Sequence, residues 1–166
     1  MAEVNVLVVF YSRYGKAERI ALAAGVGAIQ AKANIRLRRV ADLADADTIE
    51  SDAAWRENLE RMNMDYVVPR PADPAWADVI VLVAPAYSSK ELETFVESLP
   101  FTCPVAGKIA APLSTAAGET TIRRLSAAAT AIGLSVAPSP SDSGDEIATA
   151  RAYGRAVADM ARATKS

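Results

Sequence analysis

A chain of 166 residues can build a proper hydrophobic core, and 51% hydrophobic with 23% charged residues is an ordinary globular balance. With no histidine and one cysteine, it excludes histidine-based triads, histidine–metal sites and an internal disulfide, and a net charge of −2 gives no basic footprint for nucleic acid. No apolar run is long enough for a membrane span and no basic leader with a cleavage site opens the chain, so a reducing cytoplasm is the expected setting.

The first element is Val4 to Phe10, apolar and largely β-branched apart from Asn5. A strand of this kind is buried on both faces, the habit of a central parallel strand. It runs into Ser12-Arg13-Tyr14-Gly15, and a helix follows from Lys16 to about Lys32, with Ile20, Ala24, Ala28 and Ala31 on one stripe and Asn34 as its stop. The turn sets hydroxyls, N–H groups and a glycine at a helix N-terminus, where unpaired donors and the positive dipole end favour an anion. Ile35 to Val40 alternates and reads as a second strand, so the three elements form a βαβ unit with a right-handed crossover.

Residues 41–76 are less regular. The acidic residues Asp42, Asp45, Asp47, Glu50 and Asp52 lack calcium-loop spacing and read as a solvated face. Trp55, Leu59 and Met62 fall at helical spacing, and the prolines of Val68 to Pro74 forbid regular structure. Trp55 and Trp76 read as core or interface anchors, and the apolar residues of this connection point to a homodimer or homotetramer.

Asp78 to Ala84 is another fully buried strand, followed by Pro85-Ala86-Tyr87-Ser88-Ser89. Ser88 and Glu91 have capping-box spacing for a helix carrying Leu92, Phe95, Val96 and Leu99, which Pro100 ends. Cys103 has no nearby base and reads as a buried or idle thiol. Gly107 to Leu113 is a fourth strand, Ser114 to Gly118 a turn, and Ile122, Leu125, Ala129 and Ile132 mark a helix closed by Gly133. Leu134 to Ala137 is the last strand, and Ser143 with Glu146 opens a C-terminal helix to about Ala163.

Five strands alternating with helices predict an α/β fold of one domain over residues 1–166. It is a three-layer sandwich on a five-stranded parallel sheet of order 2-1-3-4-5. Ligands of such sheets lie beyond the carboxyl ends of the strands, where strands 1 and 3 diverge. Three loops rich in small and hydroxyl residues meet there: Ser12–Ala17, Pro85–Ser89 and Ser114–Glu119.

Those loops resemble the flavodoxin-like proteins, and most of all the WrbA-type NAD(P)H:quinone oxidoreductases and FMN reductases. The resemblance is carried by Tyr11 to Glu18 (YSRYGKAE), Ala77 to Tyr87 (ADVIVLVAPAY), Glu91 to Phe95 (ELETF), Gly107 to Ala116 (GKIAAPLSTA) and Gly118 to Ile122 (GETTI). It implies non-covalent FMN, with the phosphate loop on Ser12, Arg13, Tyr14, Gly15, Lys16 and Ala17. The flavin-ring loop falls on Pro85, Ala86, Tyr87 and Ser88, and the third loop on Ser114, Thr115, Ala116, Ala117 and Gly118. It further implies electron transfer from NAD(P)H to a quinone-like acceptor, with Tyr87 placed to cover the ring; without histidine, any proton comes from Tyr87, a loop hydroxyl or water. The chain departs from that family in three respects: Tyr87-Ser88-Ser89 replaces a longer Arg-Phe-Gly loop, Ala116-Ala117 replaces glycines, and the family's active-site histidine is missing. These departures keep a flavin-free binding domain open; a flavodoxin-type electron carrier is a further alternative, against which the net charge of −2 argues.

Overall fold

The computed structural model describes residues 2–116, 118–141 and 144–165. Its elements, in order, are β1 (Asn5–Phe10), α1 (Lys16–Gln30), β2 (Asn34–Arg39), α2 (Ala46–Glu50), α3 (Ala53–Asp65), α4 (Ala72–Trp76), β3 (Val79–Ala84), α5 (Lys90–Ser98), β4 (Ile109–Ser114), α6 (Glu119–Ala131), β5 (Ser135–Val136) and α7 (Glu146–Thr164). The sheet order is β2-β1-β3-β4-β5 and every pairing is parallel, as the strand patterns predict. The alternate residues of β1 explain the layering. Val4, Val6, Val8 and Phe10 face α1 and α7, whereas Leu7, Val9 and Tyr11 face Leu92 and Val96 of α5 and Leu125 of α6.

The alanine-rich stripe of α1 has a specific use. A side chain at Gly27 would run into the Arg151 carbonyl of α7, and one at Gly154 into the Ala24 carbonyl of α1. Two glycines therefore let the helices meet backbone to backbone, at Ala24 to Gly27 of α1 and Arg151 to Arg155 of α7. No helix among the described residues is long and apolar enough to cross a membrane.

Several local expectations need correction. The turn after α1 is made before Asn34, by Lys32 in the left-handed region at φ 67°. The acidic run is only partly solvated: Asp45 caps α2, Asp52 caps α3, and the Asp42 side chain is almost fully buried. Prolines do not abolish regular structure in Val68 to Pro74. Pro71 sits at the N-cap of α4 and Pro74 in its first turn, where a missing N–H is tolerated.

The Ser88–Glu91 capping box does not form. The Ser88 hydroxyl donates to the Glu91 carboxylate at 2.6 Å, and the N-cap of α5 is Ser89 without a side-chain cap bond. At α7, Ser143 lies outside the described residues and Asp145 is the cap, accepting from the N–H groups of Ile147 and Ala148. That leaves the Glu146 side chain for another contact. Trp55 is buried, and Trp76 packs on the core under the Arg36 guanidinium. Pro112 stands in β4 beyond the paired end of β5, on an open edge. Gly133 closes α6 at φ 95°.

Candidate functional site

Loop 1 follows β1 because its chain must turn into α1 within a few residues, and Gly15 makes that turn at φ 105°. Ser12 is buried, and its hydroxyl accepts from the Gly15 N–H at 2.9 Å, fixing the turn from inside. Among the described residues, the N–H groups of Tyr14, Lys16 and Ala17 have no partner within the chain. These donors stand at the start of a 15-residue helix, a ready cradle for a phosphate-sized anion. Lys16 is exposed and lines a cavity of about 330 Å³ with Arg19, Ile20, Gly144, Asp145, Glu146 and Ile147.

The Arg13 side chain leaves this cradle. Its guanidinium lies 4.2 Å from the Trp55 ring centroid and 5.0 Å from that of Tyr87, and its Nε donates to Tyr11 Oη at 2.8 Å. Tyr11 Oη donates to Asp42 at 2.7 Å, and the same carboxylate accepts from Trp55 Nε1 at 3.0 Å and Arg39 Nη2 at 3.2 Å. Arg39 Nη2 also donates to the Ser12 carbonyl at 2.8 Å. Burial pushes the Tyr11 phenol far above its ordinary value, so it stays a hydrogen-bond donor. The acidic run and Trp55 thus reach the site, a role that sequence spacing does not signal because Asp42, Trp55 and Arg13 are distant in the chain.

Loop 2 closes onto loop 1. The Arg13 N–H donates to Tyr87 Oη at 3.1 Å, and the Tyr14 and Tyr87 rings lie 6.1 Å apart at 59°. Tyr14 Oη donates to Asp52 at 2.6 Å. Tyr87 is half exposed; burial raises its phenol above the ordinary value, partly offset by the Arg13 N–H and cation. Ala86, Tyr87 and Ser88 line a polar cavity of about 600 Å³ between α5 and α6, while Pro85 is buried beneath them.

Loop 3 is joined to loop 2: the Ala86 N–H donates to Thr115 Oγ1 at 2.8 Å and Thr121 Oγ1 to the Ala86 carbonyl at 3.2 Å. On its other side Ser114, Ala116 and Gly118 line a cavity of about 690 Å³ that shares Ile20, Gly144 and Glu146 with the one at Lys16. The Ser114 hydroxyl is buried without a partner among the described residues, and the Ala116 N–H donates to Glu146 Oε1 at 2.6 Å. Gly118 must be glycine, since a side chain there would strike the Ser114 hydroxyl. Ala117 lies outside the described residues. The structure therefore brings all three predicted loops to one end of the sheet. It divides them between a cavity on the α7 side, reached by loops 1 and 3, and one on the α5–α6 side, reached by loop 2.

No protein-family profile matches the chain. The sequence is 33% identical over 101 residues to an NAD(P)H dehydrogenase (quinone) of Deinococcus radiodurans, a match covering 59% of this chain and half the length of that relative. The fold is similar to an archaeal flavodoxin, with a TM-score of 0.65 and 16% identity, covering 96% of this chain and 99% of that one. It is also similar to a diflavin flavoprotein from Nostoc sp., with a TM-score of 0.61, 14% identity and coverage of 99% and 97%. Flavodoxin 2 from Bacillus cereus gives 0.52 and 16%, covering 98% and 100%. A parallel sheet of order 2-1-3-4-5, helices on both faces and these likenesses make one conclusion: the chain has the flavodoxin-like fold.

Proposed function

We propose that this chain is an FMN-dependent oxidoreductase that passes electrons from NAD(P)H to a quinone-like acceptor. The observation that carries the reading is the set of N–H donors of Tyr14, Lys16 and Ala17 without a partner among the described residues, with Lys16 lining a cavity that adjoins the one at the third loop. The residues fit a phosphorylated flavin. The loop 1 donors suit the phosphate, and the 690 Å³ cavity is of the size that holds a drug-sized ligand. Ser114 of that cavity carries a buried hydroxyl that has no partner among the described residues. The name of the Deinococcus relative supports the choice of reaction.

Bound there, the flavin supplies two-electron chemistry, and the protein supplies position and polarity. Ser12 shapes the cradle, and Lys16 adds a cation at its rim. Tyr87 lines the α5–α6 cavity and not the 690 Å³ one, so its proton, left free because its oxygen accepts from the Arg13 N–H, is available to an acceptor entering from that side. No histidine competes for the role. A cytoplasmic location and a single domain over residues 1–166 belong to the same reading. So does a homodimer or homotetramer, supported by the exposed Leu43, Met64, Val67 and Val68 of the crossover and measurable by light scattering.

The test is to mix purified protein with FMN and follow flavin fluorescence, then NADH and NADPH oxidation with menadione as acceptor. Quenching with acceptor-dependent oxidation is expected. Absence of both contradicts the reading. A flavin-free binding domain is the second reading, favoured by the internal partners already held by the Ala86 and Ala116 N–H groups. It predicts a colourless protein whose melting temperature FMN leaves unchanged.

A further inference from the structure

The 690 Å³ and 330 Å³ cavities adjoin between the α1 N-terminus and the third loop as one trough, with Ile20, Gly144 and Glu146 lining both. Glu146 Oε1 takes the Ala116 N–H at 2.6 Å. Glu146 is the first residue of α7, and Asp145 already caps that helix, so its carboxylate is not needed for capping. Close backbone contacts of Gly27 with Arg151 and of Gly154 with Ala24 join α7 to α1, and Glu146 lines the cavity beside Lys16, Arg19 and Ile20 of α1. Ala116 and Ser114 both line the trough, and the buried Ser114 hydroxyl has no partner among the described residues.

We propose that Glu146 is an internal competitor for the ligand: its carboxylate occupies the third-loop donor and must swing away when the acceptor edge of a bound ring takes the Ala116 N–H. The inference rests on the flavin reading and names what restrains it. A ligand gains that N–H only by displacing a charge-assisted bond, so the contact selects for rings with a strong acceptor edge, such as a carbonyl beside a ring nitrogen, and against purely apolar ones. It also makes binding and a local change at the start of α7 a single event.

Flavin fluorescence titrations of the wild type, Glu146→Ala and Glu146→Gln test the idea, with FMN and with riboflavin, which lacks the phosphate. Removal of the competitor is expected to tighten both flavins by about tenfold in Glu146→Ala, with Glu146→Gln between the two. The melting temperature without ligand should fall slightly in the same variant, because an acid at a helix N-terminus is stabilising. A variant that binds more tightly while melting earlier cannot be explained by general disruption. In amide exchange of the ligand-free proteins, the Ala116 N–H should exchange faster in Glu146→Ala than in the wild type.

A gain for FMN alone would mean that Glu146 acts merely as a charge repelling the phosphate, and the competitor role is then overturned. Unchanged or weaker flavin binding by Glu146→Ala, with a wild type that binds FMN, overturns this proposal and leaves the flavin reading standing. Failure of both proteins to bind either flavin overturns both.

Discussion

The two sides of the site are built differently. Around loop 1 the Arg13 guanidinium is enclosed by Trp55, Tyr11 and Tyr87, and its support runs through Tyr11 to a buried Asp42 that takes three donors. Around loop 3 Thr115 accepts from loop 2, the Ala116 N–H is held by the Glu146 carboxylate beside a cavity, and the buried Ser114 hydroxyl has no partner among the described residues. The first side is tied together by hydrogen bonds at several points, although the buried Arg39 Nε has no partner among the described residues. A donor held by one displaceable side chain, by contrast, is poised to exchange it. The side chains of the first side fix where loops 1 and 2 stand, and the second carries the contact most easily exchanged.

Breaking the first side should have the largest effect. Trp55→Ala removes a buried ring, uncovers Arg13 and takes one donor from Asp42, so a stability loss of about 3–5 kcal/mol is expected in urea unfolding. Gly118→Ala attacks the other side. The new methyl group meets the Ser114 hydroxyl and the Thr115 carbonyl, and overpacking of about 1–3 kcal/mol should displace loop 3. The two variants should differ in kind: Trp55→Ala lowers stability most, whereas Gly118→Ala weakens flavin binding more than its stability loss explains.

A smaller effect separates the clamp of α3 on α1. Glu18 accepts from Arg61 and from Tyr66 Oη, and these donors, Arg61 foremost, hold its carboxyl below the ordinary value of 4.5 despite burial. A depressed carboxyl contributes stability above its unfolded value and loses it as pH falls through the folded one. Glu18→Gln should therefore be less stable than wild type near neutrality, by at most about 1 kcal/mol because Arg61 is half exposed. The difference should fade as pH drops below 4.5. Smallest of all, Tyr87→Phe takes the acceptor from the Arg13 N–H. About 1 kcal/mol of stability should be lost, together with acceptor turnover if Tyr87 Oη gives the proton.

The fold was readable because its strands announce themselves. Val4 to Phe10 and Asp78 to Ala84 are apolar without interruption, and the turns after them carry glycine, proline and serine at the sheet edge. The three loops were readable for the same reason. Contacts between distant residues were not: nothing local in the sequence says that Asp42 accepts from Tyr11 and Trp55, or that Glu146 reaches Ala116. Capping signals misled where a better competitor stood nearby. Ser88 spends its hydroxyl on the Glu91 side chain, and Asp145 takes the capping place at α7.

The central claim is that the N–H groups of Tyr14, Lys16 and Ala17 hold the phosphate of a flavin. The most direct measurement compares wild-type dissociation constants for FMN and riboflavin at equal ionic strength. With several charge-assisted hydrogen bonds to the phosphate, FMN should bind at least about tenfold more tightly, and added inorganic phosphate should compete with it. Equal affinities, or FMN binding that phosphate does not weaken, would contradict the cradle and the function built on it.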